Sequence, residues 1–154
     1  MDEAAITRYI ATTLPGVDVV VGSQEAGSPE IAWDDTFFIY DPNRDLSDTR
    51  RFPFATIVTK DYGDFDNASK LDRPGVFRLN IGVGKETYAR LFDPGEQFDF
   101  STLDRLMPHP VYGSNHFVCI LNPSDATFEA IKPLFGEAHR IAMKRAARRT
   151  PPRR

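Results

Sequence analysis

A chain of 154 residues in which 41% are hydrophobic and 27% are charged has the length and composition of one folded domain, which excludes a largely disordered protein. Cys119 is the only cysteine, so an intramolecular disulfide and a multi-cysteine zinc site are excluded. The formal net charge is −3, but residues 140–154 hold seven basic residues and no acidic one, while residues 1–139 hold 12 basic and 22 acidic residues.

The two ends of the chain suggest its boundaries and its location. We expect a single domain over residues 1–147 and a basic, disordered tail over residues 148–154. Basic residues near a helix C-terminus also suit the helix dipole, so a frayed helix end is the alternative for the tail. The acidic start at Asp2 and Glu3 does not resemble a signal peptide, and no apolar stretch approaches the roughly 20 residues of a membrane span. We therefore expect a cytoplasmic protein without membrane contact.

The first half of the chain predicts a helix followed by strands. Ala5, Ile6 and Ile10 have helical spacing behind the N-cap candidate Asp2. Leu14-Pro15-Gly16 ends this helix. The strands predicted next are Val17–Val21, a hairpin of Glu30–Trp33 with Thr36–Tyr40 about Asp34-Asp35, and Phe54–Thr59.

Residues 75–83 show the clearest strand pattern. Their apolar side chains alternate with Arg78 and Asn80, which share the opposite face of the strand. We therefore expect Arg78 to point away from the main core. The residues before this strand, 61–74, form a long polar loop, and loops of this length are often functional or mobile.

The second half predicts a short helix over residues 84–92, another from Ser101 to Leu106, and a central strand over residues 115–121. A C-terminal helical region begins after Ser124, and Pro133 and Gly136 are expected to split it. The element order predicts an α+β fold with an antiparallel sheet and with N- and C-terminal helices packed on one face.

Sequence motifs for cofactors and metals fail on inspection. Gly82–Thr87 lacks the Ser or Thr that must follow the lysine of a phosphate loop, and the acidic loop from Asp64 lacks the glycine and glutamate of a calcium-binding hand. His116 and Cys119 lie three residues apart along a predicted strand, which places them on opposite faces and disfavours a nucleophilic dyad. We expect no cofactor, no metal, and a buried, inert Cys119.

Three segments carry a resemblance to known proteins: residues 53–61 (PFATIVTKD), residues 71–82 (LDRPGVFRLNIG) and residues 109–112 (HPVY). Together they resemble a bacterial family labelled a domain of unknown function. The second half is also distantly similar to MmcQ/YjbR-like proteins, which implies a compact YjbR-like or secretion-chaperone-like α+β fold. DNA binding has been suggested for MmcQ/YjbR proteins. Here Phe117 stands where those proteins carry Trp, and the acidic body repels phosphates, so we expect nucleic acid to bind only weakly and through the basic tail.

We expect a non-enzymatic binding or interaction protein that acts through its open sheet face or an adjacent groove. Its partner would be a small anionic ligand or a protein, and a homodimer is left open. The alternative is a small-molecule enzyme or an anionic-ligand binder. The candidate ligand-binding residues are Asp72, Arg73, Arg78, Asn80, Tyr112 and His116. For Asp72 and Arg73, a turn locked by a side-chain cap and an ion pair is the competing interpretation.

Overall fold

The computed structural model describes residues 1–149, which form three α-helices and one six-stranded sheet. The helices are α1 (Glu3–Thr13), α2 (Lys85–Leu91) and α3 (Asp125–Arg149). The strands are β1 (Val17–Val21), β2 (Thr36–Tyr40), β3 (Ala55–Val58), β4 (Arg78–Gly82), β5 (Met107–Pro108) and β6 (Phe117–Leu121). Residues 150–154, where most of the predicted tail falls, lie outside the described residues. Helix α3 runs to Arg149, past the tail boundary predicted after residue 147.

The sheet is antiparallel throughout, with strand order β1-β2-β3-β4-β6-β5. The first four strands therefore neighbour one another in chain order, as hairpin-like connections dictate. The predicted α+β fold with an antiparallel sheet is confirmed.

The main core lies between one face of the sheet and the helices at the two ends of the chain. The Asp2 carboxylate accepts a hydrogen bond from the Ala5 N–H at 2.8 Å, which caps α1 as predicted. Ile6 and Ile10 then face the sheet and are fully buried. Helix α3 and the sheet supply the remaining large core side chains, among them Phe38, Ile57, Leu79, Ile81, Val118, Ile120, Phe128 and Phe135.

A second, smaller hydrophobic cluster lies on the opposite face of the sheet. Val58, Cys119 and Leu121 belong to it, together with Leu71 and Met107. The loops over residues 59–77 and 92–106 fold back over this end of the face, where Tyr62, Val76, Phe98 and Phe100 pack against the cluster. Within the described residues 1–149, the other end of the face has no covering helix.

The predicted hairpin of Glu30–Trp33 with residues 36–40 is wrong. Glu30–Ala32 forms a 3₁₀ turn, and β2 pairs with β1, with Val21 opposite Thr36. The two strands are closed by backbone hydrogen bonds between Gly22 and residues 34 and 35. Strand β1 is a β-branched run that matches β2 in length. It is a better partner for β2 than Glu30–Trp33, because it extends the apolar face of the sheet.

Two helix predictions in the second half also need correction. Residues 101–106 form no helix, since the Asp99 carboxylate binds the Ser101 N–H and hydroxyl and turns the chain there. Helix α3 is continuous through Pro133 and Gly136. The missing Pro133 N–H removes one hydrogen bond, but the packed face that contains Phe128 and Phe135 outweighs this loss.

No helix within residues 1–149 combines the length and the apolar character needed to cross a membrane.

Candidate functional site

Arg78 lies at the centre of the open sheet face. The alternation of β4 directs Leu79 and Ile81 into the main core and directs Arg78 and Asn80 to the other face, as the sequence predicts. Arg78 is nevertheless only 1% exposed, because the loop that follows β3 folds over it. A buried guanidinium needs compensating partners, since the desolvation of an unpaired charge costs several kcal/mol.

The partners of Arg78 come from its own strand and from the covering loop. Its Nη1 and Nη2 atoms donate to the two carboxylate oxygens of Asp66 at 3.0 and 2.5 Å. Nη1 also donates to the Ser69 hydroxyl at 2.9 Å, and Nε donates to the Asn80 Oδ1 atom at 2.9 Å. Asp66 therefore neutralises Arg78 through a bidentate ion pair.

His109 meets this network from the segment that follows β5. Its Nδ1 atom accepts hydrogen bonds from the backbone N–H groups of Val111 and Tyr112, at 3.0 and 2.9 Å. Its Nε2 atom lies 3.1 Å from Nη2 of Arg78 and 4.0 Å from Oδ2 of Asp66. Burial and the Arg78 charge lower the pKa of His109 to about 3, so the imidazole is neutral near pH 7.

Side chains on β3 and in the loop brace the network. Asn80 donates through Nδ2 to the Thr56 hydroxyl at 2.9 Å, directly across the β3–β4 ladder. The Tyr62 hydroxyl donates to the buried Asp35 carboxylate, which also accepts from the Thr59 N–H at 2.8 Å. Burial and this bond raise the pKa of Tyr62. These contacts hold the loop that presents Asp66.

A cleft of about 560 Å³ opens above this polar network. Arg78, Asn80, Asp66 and His109 form its floor, which is buried. Its walls are largely aromatic, and three wall residues are well exposed, Phe52 and Phe65 by 61% each and Tyr112 by 44%. The aromatic wall side chains are Phe37, Phe52, Tyr62, Phe65, Tyr112 and Phe117, and Arg145 of α3 also lines the cleft.

The sequence profile of DUF6194, described as a family of unknown function, matches residues 1–151. The chain belongs to this family. The resemblance drawn from the segments PFATIVTKD, LDRPGVFRLNIG and HPVY to a family of unknown function is thereby confirmed, whereas the distant similarity to MmcQ/YjbR-like proteins stays a prediction. No curated protein and no solved structure matches the sequence significantly. No matched protein therefore suggests a function for this DUF6194 member.

In this DUF6194 protein the six predicted ligand-binding residues separate into two groups. Arg78, Asn80 and Tyr112 line the cleft together. Asp72, Arg73 and His116 do not line it.

Each residue of the second group has a structural contact where it lies. Asp72 accepts a hydrogen bond from the Asp61 N–H at 3.2 Å. Arg73 donates to three backbone carbonyls, those of Lys70, Ser69 and Ser101, at 2.8 to 3.1 Å. His116 adopts a left-handed conformation before β6, with its ring 5.5 Å from that of Tyr88. A role for these three in ligand binding stays a prediction.

Two residues of the floor escaped the sequence analysis, Asp66 and His109. Asp66 lies in a polar loop whose sequence predicts a turn or a helix start, 12 residues before the arginine it neutralises. His109 is the first residue of the HPVY segment. The turn residues after it were a signal that its side chain caps the following turn and is therefore held in a fixed position. Within the described part of the chain, no three His, Cys, Asp or Glu side chains are grouped so that they could hold a metal ion.

Proposed function

We propose that this protein is a non-enzymatic binding protein that takes a small aromatic ligand into the open-face cleft. The observation that carries the proposal is the combination of a buried polar floor with aromatic walls in one concave site. A volume of about 560 Å³ lies within the roughly 300–1,000 Å³ that is usual for small-molecule sites. The exposed rings of Phe65 and Tyr112 supply apolar area that a bound ligand would remove from water.

The ionisable groups of the floor, and Cys119 in the hydrophobic cluster on the same sheet face, support binding rather than catalysis. A general base works best with a pKa near the working pH, but the pKa of His109 is lowered to about 3. The charge of Arg78 is already compensated by Asp66. Burial raises the pKa of the Cys119 thiol to about 12, which leaves almost no thiolate for nucleophilic attack.

The remaining expectations from the sequence stay predictions. They are a protein partner at this face, a homodimer, weak nucleic-acid binding through the basic end of the chain, and a cytoplasmic location.

The test is a fluorescence titration with N-phenyl-1-naphthylamine, a neutral aromatic probe whose emission rises when it leaves water. We expect saturable binding to the wild type and roughly two- to tenfold weaker binding to Phe65→Ser, because ring–ring contacts contribute about 0.5–1.5 kcal/mol.

Leu103→Ser is the matched control. Leu103 is an exposed apolar side chain like Phe65, with exposed fractions of 45% and 61%, but Leu103 lies outside the cleft. Its variant should bind the probe like the wild type. Absence of saturable binding, or equal affinities for wild type, Phe65→Ser and Leu103→Ser, would contradict the proposal.

A further inference from the structure

The protonation state of His109 is fixed by its backbone neighbours. Nδ1 accepts from two N–H groups, those of Val111 and Tyr112, so this nitrogen carries no proton. A neutral imidazole must then carry its proton on Nε2. The alternative tautomer would set a proton on Nδ1 against two backbone donors at 2.9 and 3.0 Å.

The Nε2–H group of His109 therefore meets another donor. Four hydrogen bonds from Arg78 to Asp66, Ser69 and Asn80 account for four of the five guanidinium N–H groups. The fifth, on Nη2, faces Nε2 of His109 across 3.1 Å. Two donors so close together lack a common acceptor among residues 1–149, and both residues line the cleft.

The charge balance of the floor indicates what kind of acceptor fits. Asp66 already pairs with Arg78 through both oxygens, so the floor carries no net charge while His109 is neutral. A carboxylate placed before the two donors would also lie near Oδ2 of Asp66, which is 4.0 Å from Nε2. Repulsion from Asp66 at this buried floor would then oppose an anion. Arg145, which also lines the cleft, is exposed to water that screens its charge, so the floor favours a neutral oxygen.

Asp66 also has acceptor capacity to spare. A carboxylate offers about four lone-pair sites, and Arg78 occupies two of them. Oδ2 of Asp66 and Nε2–H of His109 therefore form an acceptor and a donor 4.0 Å apart. Because hydrogen bonds are about 2.9 Å long, one amide group can reach both atoms.

We propose, building on the cleft binding proposed above, that the ligand is a neutral planar heterocycle with a lactam edge. Its carbonyl oxygen accepts from His109 Nε2–H and from the remaining Arg78 N–H, and its adjacent ring N–H donates to Asp66. The rings of the heterocycle pack against the aromatic walls that include Phe37, Phe65 and Tyr112. The anionic ligand expected from the sequence is the competing class.

Three small probes distinguish these classes: isoquinolin-1(2H)-one, its N-methyl derivative and 2-naphthoate. All three are bicyclic, but the second lacks the N–H donor and the third is an anion. Binding is measured by ¹⁵N–¹H NMR titration of the full chain, following the amide signals of Val111 and Tyr112. We expect isoquinolin-1(2H)-one to bind about tenfold more tightly than either of the others, the loss that one buried hydrogen bond produces.

Two variants test the roles of the floor residues. In Asp66→Asn the lactam should lose its advantage over 2-naphthoate, because Arg78 is no longer neutralised. His109→Asn keeps an acceptor for the two backbone N–H groups but removes Nε2–H, so the affinity for the lactam should fall about tenfold. This variant tests the proposal independently of Asp66→Asn, including the case in which Asp66→Asn does not fold.

Equal or tighter binding of 2-naphthoate to the wild type would overturn the lactam assignment. It would also be overturned if none of the three probes shifts the cleft amides while N-phenyl-1-naphthylamine still binds there. Failure of that neutral probe as well would refute the cleft-binding function itself, so the two failures are distinguishable.

Discussion

Acidification should destabilise this protein through His109, and the effect can be calculated. The pKa of His109 is lowered from 6.5 to about 3 in the folded chain by burial and by Arg78, and the Asp66 carboxylate opposes this shift only in part. Below pH 6.5, His109 therefore binds a proton in the unfolded chain but stays neutral in the folded chain. The contribution of neutral His109 to the free energy of unfolding is therefore fully present above pH 6.5 and is lost as the pH falls toward 3.

The linkage relation gives the size of the effect. Between pH 7.5 and 5.0 the lost free energy of unfolding is about 2 kcal/mol, because each pKa unit corresponds to about 1.4 kcal/mol. Urea unfolding followed by the fluorescence of Trp33 measures it at each pH.

The comparison is with His109→Asn, which cannot titrate. The carboxylates whose pKa is lowered, Asp99, Asp104 and Glu137, remain in both proteins, so their contributions cancel in the difference. We expect the wild type to lose about 2 kcal/mol more than the variant. Parallel pH dependences, within about 0.5 kcal/mol, would refute the buried, neutral histidine.

Three further predictions concern single side chains. Arg78→Met should lower the free energy of unfolding by about 3–5 kcal/mol, because it leaves Asp66 buried and unpaired. Adding Asp66→Asn to this variant should restore part of the lost free energy. If the losses of the two single variants instead add up in the double variant, the pairing is contradicted. Arg73→Met should lower the free energy of unfolding by about 1–3 kcal/mol, because it removes three hydrogen bonds to backbone carbonyls. The affinity for N-phenyl-1-naphthylamine should stay unchanged. Weaker binding of this probe would show that Arg73 contributes to the site. Cys119 should resist a thiol reagent at pH 7.5 until the protein unfolds, and rapid stoichiometric labelling of the native chain would show that it is not buried.

Local sequence pattern predicted the elements whose burial is regular. The alternation around Arg78 and the capped, amphipathic first helix both follow from periodicity, which depends only on neighbouring residues. The predicted hairpin at Glu30–Trp33 failed because strand pairing is decided by the best distant partner, and here that partner is β1. Helix α3 crosses Pro133 because tertiary packing overrides local preference.

The site was predictable only in part, because local sequence pattern does not reveal contacts between distant segments. Arg78 and Asn80 share a strand face, so sequence alone places them together. Asp66 and His109 reach Arg78 from loops 12 and 31 residues away, and no periodic pattern links them to it. Arg73 looked available because its partners are backbone carbonyls, which the identities of side chains do not reveal.

The position of α3 in the core has a consequence for synthesis on the ribosome. Phe128, Ile131 and Phe135 cover the apolar face of strands that are translated long before them. While β1 to β4 emerge, that face has only α1 to shield it, and nascent chains with such uncovered surface are the ones that aggregate or recruit chaperones. The native core therefore closes only after translation has passed residue 138, so a ribosome stalled earlier should carry a protease-sensitive chain.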